Sequence, residues 1–175
     1  MLERILIAGS GGQGILLIGK MLAQLAIGKV PYLTFFPSYG AEVRGGTSNC
    51  QVILSSHEIA SPLAEEFDSL MIMNQQSAPR FLPGLSPTGL AVINQSLCRL
   101  AHDKRFIMIR ATDIADHLGN ARAANFVMLG AWLAHKPLIP VPDVEQWIAE
   151  SFTGAKPAVI EANLKAFQAG LKHKS

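Results

Sequence analysis

The junction between the first strand-like run and the first helical stretch constrains this chain more than any other feature. Arg4 to Ala8 is a short β-branched run that ends at Gly9, which predicts a buried strand. Gly9-Ser10-Gly11-Gly12-Gln13-Gly14 follows, and Ile15 to Ile27 then predicts a helix stopped by Gly28. Apolar positions surround nearly the whole circumference of that helix, so it should be buried on most sides. Val30 to Phe36 predicts a second strand, closed by Pro37. Strand, glycine turn, helix and strand in this order begin a mostly parallel sheet.

Further along, Ser48 to Leu54 alternates, with Cys50, Val52 and Leu54 on one side. It predicts a half-buried strand, antiparallel and near an edge. Asp68 to Met73, Leu90 to Asn94 and Phe106 to Arg110 predict three more strands, with a helix end and a surface loop across Pro79 to Gly89. From Thr112 the pattern turns helical: Asn120 to His135, a helix capped by Asp143 and running to Ser151, and Pro157 to Lys172. No linker or repeat divides the 175 residues, which fit one domain spanning 1–175. The expected fold is α/β: a Rossmann-like three-layer sandwich with helices on both faces and a helical C-terminal part.

Gly9, Gly11 and Gly14 match G-x-G-x-x-G between a strand and a helix, where backbone N–H groups can hold an anion. The competing reading is tight strand-to-helix packing without a ligand. Gln13 tips the balance toward function, because a polar amide at a helix start can meet a ligand or a partner. A dinucleotide site also wants an Asp or Glu about 20 residues on. The second strand instead ends Leu33-Thr34-Phe35-Phe36. Gly14 to Lys20 fits G-x-x-x-x-G-K but is followed by Met21 and lies inside a helix, so no P-loop forms there.

The second informative stretch is Tyr39-Gly40-Ala41-Glu42-Val43-Arg44-Gly45-Gly46. Loops after parallel strands gather at the carboxyl edge of a sheet, so this loop and Gly9–Gly14 should be neighbours. Arg44 offers a fork for phosphate or carboxylate, unless an internal Glu42–Arg44 pair simply fixes the loop. The two glycine motifs together, continued by Thr47-Ser48, resemble the gamma subunit, or gamma domain, of the 2-oxoacid:ferredoxin oxidoreductases. The resemblance extends to Asp68 and the strand Leu70 to Asn74, to Asn94, to Asn125-Phe126-Val127-Met128-Leu129-Gly130, and to Asn163, Ala166 and Gly170.

That resemblance implies a complex that oxidatively decarboxylates a 2-oxoacid to an acyl-CoA with thiamine diphosphate and Mg. Electrons then pass through iron–sulfur clusters to ferredoxin. The thiamine diphosphate and the clusters are implied to lie in other subunits, and the gamma domain on the coenzyme A side. The implied partners are the alpha, beta and delta (ferredoxin-like) subunits. The implied contact residues are Gly9, Gly11, Gly12, Gln13, Gly14, Tyr39, Glu42, Arg44, Gly45 and Gly46, with no catalytic or metal-binding residue in this chain. A 2-oxoglutarate-type keto acid is the expected substrate, although no residue selects it.

Composition agrees with this division of labour. Only 16% of residues are charged, so either the fold buries much of its surface internally, or some surface is there for partners to cover, or for a copy of the chain when isolated. A net charge of +2 without a basic stripe gives no reason to expect nucleic-acid binding. Apolar runs such as Ile15 to Ile18 are far too short to span a bilayer. Two isolated cysteines, Cys50 and Cys98, form neither a disulfide framework nor a four-cysteine cluster, and a cytoplasmic location is expected. Two other readings remain: a stand-alone Rossmann-like nucleotide-binding protein, and a purely structural interaction subunit.

Overall fold

The computed structural model describes residues 1–38, 47–152, 154 and 156–173. Among these, the strands are β1 (Leu2–Gly9), β2 (Tyr32–Ser38), β3 (Ser48–Ser55), β4 (Phe67–Ile72), β5 (Leu85–Asn94) and β6 (Phe106–Ile109). The α-helices are α1 (Ile15–Ala26), α2 (Ala78–Phe81), α3 (Ala111–His117), α4 (Ala124–His135), α5 (Val141–Ser151) and α6 (Pro157–Leu171).

The strands form one sheet in the order β2-β3-β1-β4-β5-β6. β1, β4, β5 and β6 pair in parallel, while β3 runs antiparallel to both of its neighbours, β1 and β2. The expected mostly parallel α/β sheet is therefore present, with β3 as its reversed member, second from the edge. Its register sets Ser48 opposite Gly9, and Asn49 opposite both Ala8 and Ser38.

Side chains alternate along the strands, so the sheet has two apolar faces. Ile5, Ile7, Cys50, Val52, Met71 and Val92 meet the long helices α1, α4 and α6, together with α3 and α5. Leu6, Ala8, Leu70, Ile72, Ala91 and Ile93 meet only α2 and neighbouring loop residues such as Leu82, Cys98 and Leu100. Helices thus lie on both faces, but unequally. The β4–β5 connection carries only short helical pieces, the four-residue α2 and a 3-10 turn at Leu82–Gly84.

Three local expectations change. β2 continues through Pro37 to Ser38 instead of stopping at Phe36, because on an edge strand the missing N–H of proline can face outward. β5 begins at Leu85, inside the stretch expected to be a loop, and its pairing with β4 shifts register between Phe67 and Ser69 to absorb Pro87 and Gly89. Asp143 sits in the first turn of α5 and pairs with Lys29, whereas Pro140 holds the cap position.

α4 and α6 cross at glycines. A Cβ on Gly130 would run into the carbonyl oxygen of Phe167, and one on Gly170 into that of Val127. The two backbones touch where side chains normally keep helices apart.

The amino edge of the sheet is closed by polar groups that satisfy one another. Trp132 Nε1 donates to Ser69 Oγ (2.8 Å), which donates to Glu3 Oε1 (2.5 Å). Lys136 Nζ donates to that same oxygen (2.7 Å) and to the Asp68 carbonyl (2.9 Å). Arg4 binds Asp68 through both its backbone N–H and its guanidinium. Burial pushes the Asp68 carboxyl up, but the hydrogen bonds and charge of Arg4 outweigh it and hold it below the usual range.

Two outcomes follow from this packing. Gly170→Ala should destabilise the chain by about 1–3 kcal/mol in urea unfolding, since neither backbone can yield. A depressed Asp68 stabilises the fold above its unfolded pKa of about 4 and loses that contribution as pH falls below it. Asp68→Asn should therefore flatten the pH dependence of the melting temperature between about pH 5 and 3.

Candidate functional site

β1 and β4 are neighbours whose connections leave in opposite directions, β1 toward β2 and β4 toward β5. Such a divergence opens a crevice beyond the carboxyl ends of the strands. The Gly9–Gly14 turn occupies it. Gln13 Oε1 accepts from the Ser10 N–H (2.7 Å), and the Gln13 N–H donates to the Ser10 carbonyl (3.2 Å), closing the turn on itself. Only the NH₂ end of Gln13 is then left for outside contacts. Gly14 lies at φ +73° directly before α1, and the Asn125 side chain of α4 fills the place a Cβ on residue 14 would take. Gly11 has nothing within 4 Å of its own missing Cβ.

The turn is short of acceptors. Among the described residues none takes a hydrogen bond from the Gly11 or Gly12 N–H, and the first turn of α1 carries no acidic residue. Free N–H groups at a helix start attract anions.

A cavity of about 510 Å³ adjoins the turn, reaching between α1, α4 and α6. Leu17, Phe126, Phe152 and Val159 form its apolar wall, and Gly12, Gly14, Asn120, Asn125 and Asn163 its polar one, with Arg122 and Lys156 contributing charge. Among the described residues no Asp or Glu lines it. Asn163 is 3% exposed, and its Oδ1 takes one long bond from Asn120 (3.4 Å). Its NH₂ group has no acceptor among the described residues. A smaller cavity of about 190 Å³ opens on the other side of the turn, lined by Gln13, Met73 and Thr112, and shares Gly12 and Arg122 with the first. The described lining thus combines groups that attract anions with an apolar wall.

Of the residues expected from sequence, Gly9, Gly11, Gly12, Gln13 and Gly14 come together here. Tyr39, Glu42, Arg44, Gly45 and Gly46 lie outside the described residues. The strand ends that flank them do not: Ser38 and Ser48 both end beside Asn49 and Gly9 at this edge. Asn120, Arg122, Lys156 and Asn163 were not anticipated as cavity residues. They come from segments far apart in sequence, and only Asn163 stood out beforehand, through the family resemblance.

The topology also bears on the dinucleotide reading. β3 lies between β1 and β2, which sets the end of β2 two strand spacings, about 10 Å, from the glycine turn. The residues there are Phe36, Pro37 and Ser38, and none is acidic. Cys50 and Cys98 face opposite sides of the sheet, so they cannot share a cluster. Burial pushes the two thiols up to about 12 and about 11, which leaves both protonated near neutral pH.

Residues 4–173 match the family described as pyruvate ferredoxin/flavodoxin oxidoreductase. The chain belongs to this family. It is 36% identical over 169 residues to the ketoisovalerate oxidoreductase subunit VorA of Methanothermobacter thermautotrophicus, covering 95% of this chain and 35% of that one. It thus spans about a third of the length of the first curated relatives it matches. The keto/oxoacid ferredoxin oxidoreductase gamma subunit of Geobacter sulfurreducens superposes with a TM-score of 0.80 at 27% identity, over 97% of this chain and 96% of that one. The same fold, at 23% identity and a TM-score of 0.82, makes up 30% of a chain of the 2-oxoglutarate:ferredoxin oxidoreductase from Magnetococcus marinus, and covers 97% of this chain. That enzyme was solved with 2-oxoglutarate, coenzyme A and succinyl-CoA bound.

The turn and its backing separate by mutation. Gly14→Ala forces an L-residue into positive φ against Asn125, and should lower the stability of the chain by more than about 1 kcal/mol in thermal or urea unfolding. Gly11→Ala meets no atom and should leave stability within about 0.5 kcal/mol of the wild type.

Proposed function

We propose that the chain is the gamma subunit of a multi-subunit, thiamine-diphosphate-dependent 2-oxoacid:ferredoxin oxidoreductase, and that its glycine turn and the adjoining cavity form part of the coenzyme A side of a site completed by other subunits. The observation that carries this reading is the cavity itself. It combines free backbone N–H groups, Arg122, Lys156 and the Asn163 NH₂ with an apolar wall, and no acidic residue lines it among the described residues. These residues fit a ligand with phosphates at one end and an apolar body.

Coenzyme A, when bound, supplies the thiol that accepts the acyl group. This chain's own residues bind and orient. The N–H groups of Gly11 and Gly12 and the guanidinium of Arg122 meet phosphate oxygens, the Asn163 NH₂ donates as well, and Phe126 and Phe152 keep water from the apolar part. In this reading Arg44 supplies a second cation, and Tyr39, Glu42, Gly45 and Gly46 are further contact residues. The residues do not fit an iron–sulfur cluster, since the two cysteines are buried on opposite faces. Clusters, thiamine diphosphate and Mg belong to the alpha, beta and delta subunits in this reading. The chain is similar in sequence to a ketoisovalerate enzyme subunit and in fold to part of a 2-oxoglutarate enzyme, and in this reading the choice of 2-oxoacid rests with residues elsewhere in the complex.

Two measurements test this. The purified chain alone should show no 2-oxoacid-dependent reduction of ferredoxin or a viologen dye, and should co-purify natively with subunits that restore it. Turnover by the lone chain overturns the proposal. In the reconstituted complex, Arg122→Ala should raise the KM for coenzyme A about tenfold or more, as expected for loss of a charge-assisted contact. An unchanged KM would remove the coenzyme role and leave the chain as an assembly subunit.

A further inference from the structure

Ser10 is held at all three of its polar atoms, and only two of the bonds come from the glycine turn. Its N–H and carbonyl are taken by Gln13, whereas its hydroxyl accepts from Asn74 Nδ2 (2.5 Å). Asn74 follows β4 and is 9% exposed. Its amide orientation is fixed independently, because its Oδ1 accepts the Ser77 N–H (3.0 Å) and only the NH₂ end can then face Ser10. The backbone beside it is fixed as well. The Met73 N–H donates to the Ala8 carbonyl (2.8 Å), and the Met73 carbonyl accepts from the buried Asn94 amide (3.2 Å), which also donates to Thr112 Oγ1 (2.8 Å). The turn that offers its N–H groups outward is therefore tied from behind to the ends of β4 and β5.

We propose that Asn74 is a positioning residue for the glycine turn: by holding the Ser10 hydroxyl it sets the direction of the Gly11 and Gly12 N–H groups without itself touching a ligand. Gly11 and Gly12 have no side chains to hold them, and no other described residue bonds their N–H groups. Their orientation is inherited from Ser10 on one side and Gln13 on the other. A turn left to its glycines would sample many conformations, and an anion binding to it would have to restrict them. The effect on coenzyme affinity rests on the function proposed above, but the clamp itself does not.

The clamp is tested on the full chain by amide hydrogen exchange. Asn74→Ala should speed exchange at Ser10 and Gln13 about fivefold, the worth of one ordinary hydrogen bond, while the core of β1 and β4 keeps its protection. Ser10→Ala removes the same bond without disturbing the start of α2, and should give the same acceleration. The double variant should add nothing further, as expected when two changes break one interaction. In the reconstituted complex Asn74→Ala should raise the KM for coenzyme A by a larger factor than it lowers kcat. Unchanged exchange at Ser10 and Gln13 in both single variants overturns the proposal, as does acceleration spread evenly over the whole chain. The exchange result needs no coenzyme, so it decides the clamp even where Arg122→Ala leaves the KM unmoved and the coenzyme reading fails.

Discussion

No side chain can stand at residue 14, because Asn125 already fills the space, and the width of the cavity depends on that contact. Gly14 caps the start of α1, and Asn125 lies in the first turn of α4, so the starts of the two helices meet at the glycine turn. A second contact of the same kind lies further along, where Gly130 of α4 and Gly170 of α6 let the backbones touch. α4 is thereby pinned to α1 at one end and to α6 along its length. Asn163, about two turns before Gly170, is carried into the same cavity lining as Gly14. The cavity is open because the three helices are fixed where they have no side chains, and diverge where they have them.

The polar groups of the two sheet edges are used in opposite ways. At the amino edge Glu3, Ser69, Trp132, Lys136, Arg4 and Asp68 form a set in which the donors named find acceptors inside the chain. At the carboxyl edge the N–H groups of Gly11 and Gly12, the NH₂ of Asn163 and the cations Arg122 and Lys156 find none among the described residues. Folding alone favours the first arrangement, since an unpaired donor contributes nothing to stability and costs free energy when water is excluded from it. A chain that closes one edge and leaves the other short of acceptors has its outward-facing chemistry at the second edge. This contrast supports the binding role proposed above for the glycine turn over the view that its glycines serve close packing only.

Much of this was legible in the sequence, and what was not has physical causes. The strand–turn–helix start was readable because a β-branched run, spaced glycines and an apolar helix are all local signals. The alternation of Cys50, Val52 and Leu54 gave β3 and its antiparallel sense. Its insertion between β1 and β2 could not be read, because hydrophobic period reports which side of a strand is buried and says nothing about its neighbours. Pro87 and Gly89 hid the start of β5, since a register shift lets a strand carry residues that otherwise signal a loop. Arg122 and Lys156 carry no motif at all. They become a pair only when α4 and α6 fold against the turn.

Gln13 shows how a correct position can carry an incomplete role. Read locally, an amide at a helix start belongs to a ligand or a partner. In the folded chain its carbonyl oxygen is taken by the Ser10 N–H, so half of the side chain shapes the turn and only the other half faces outward. Ser10, which no motif singles out, turns out to be where the turn is anchored, held by Gln13 along the chain and by Asn74 from β4. The glycines supply permissive backbone and the polar neighbours select one conformation from it. A glycine motif therefore identifies where a backbone can approach a ligand, while the residues that make the approach specific lie outside the motif, on strands and helices that sequence spacing does not connect.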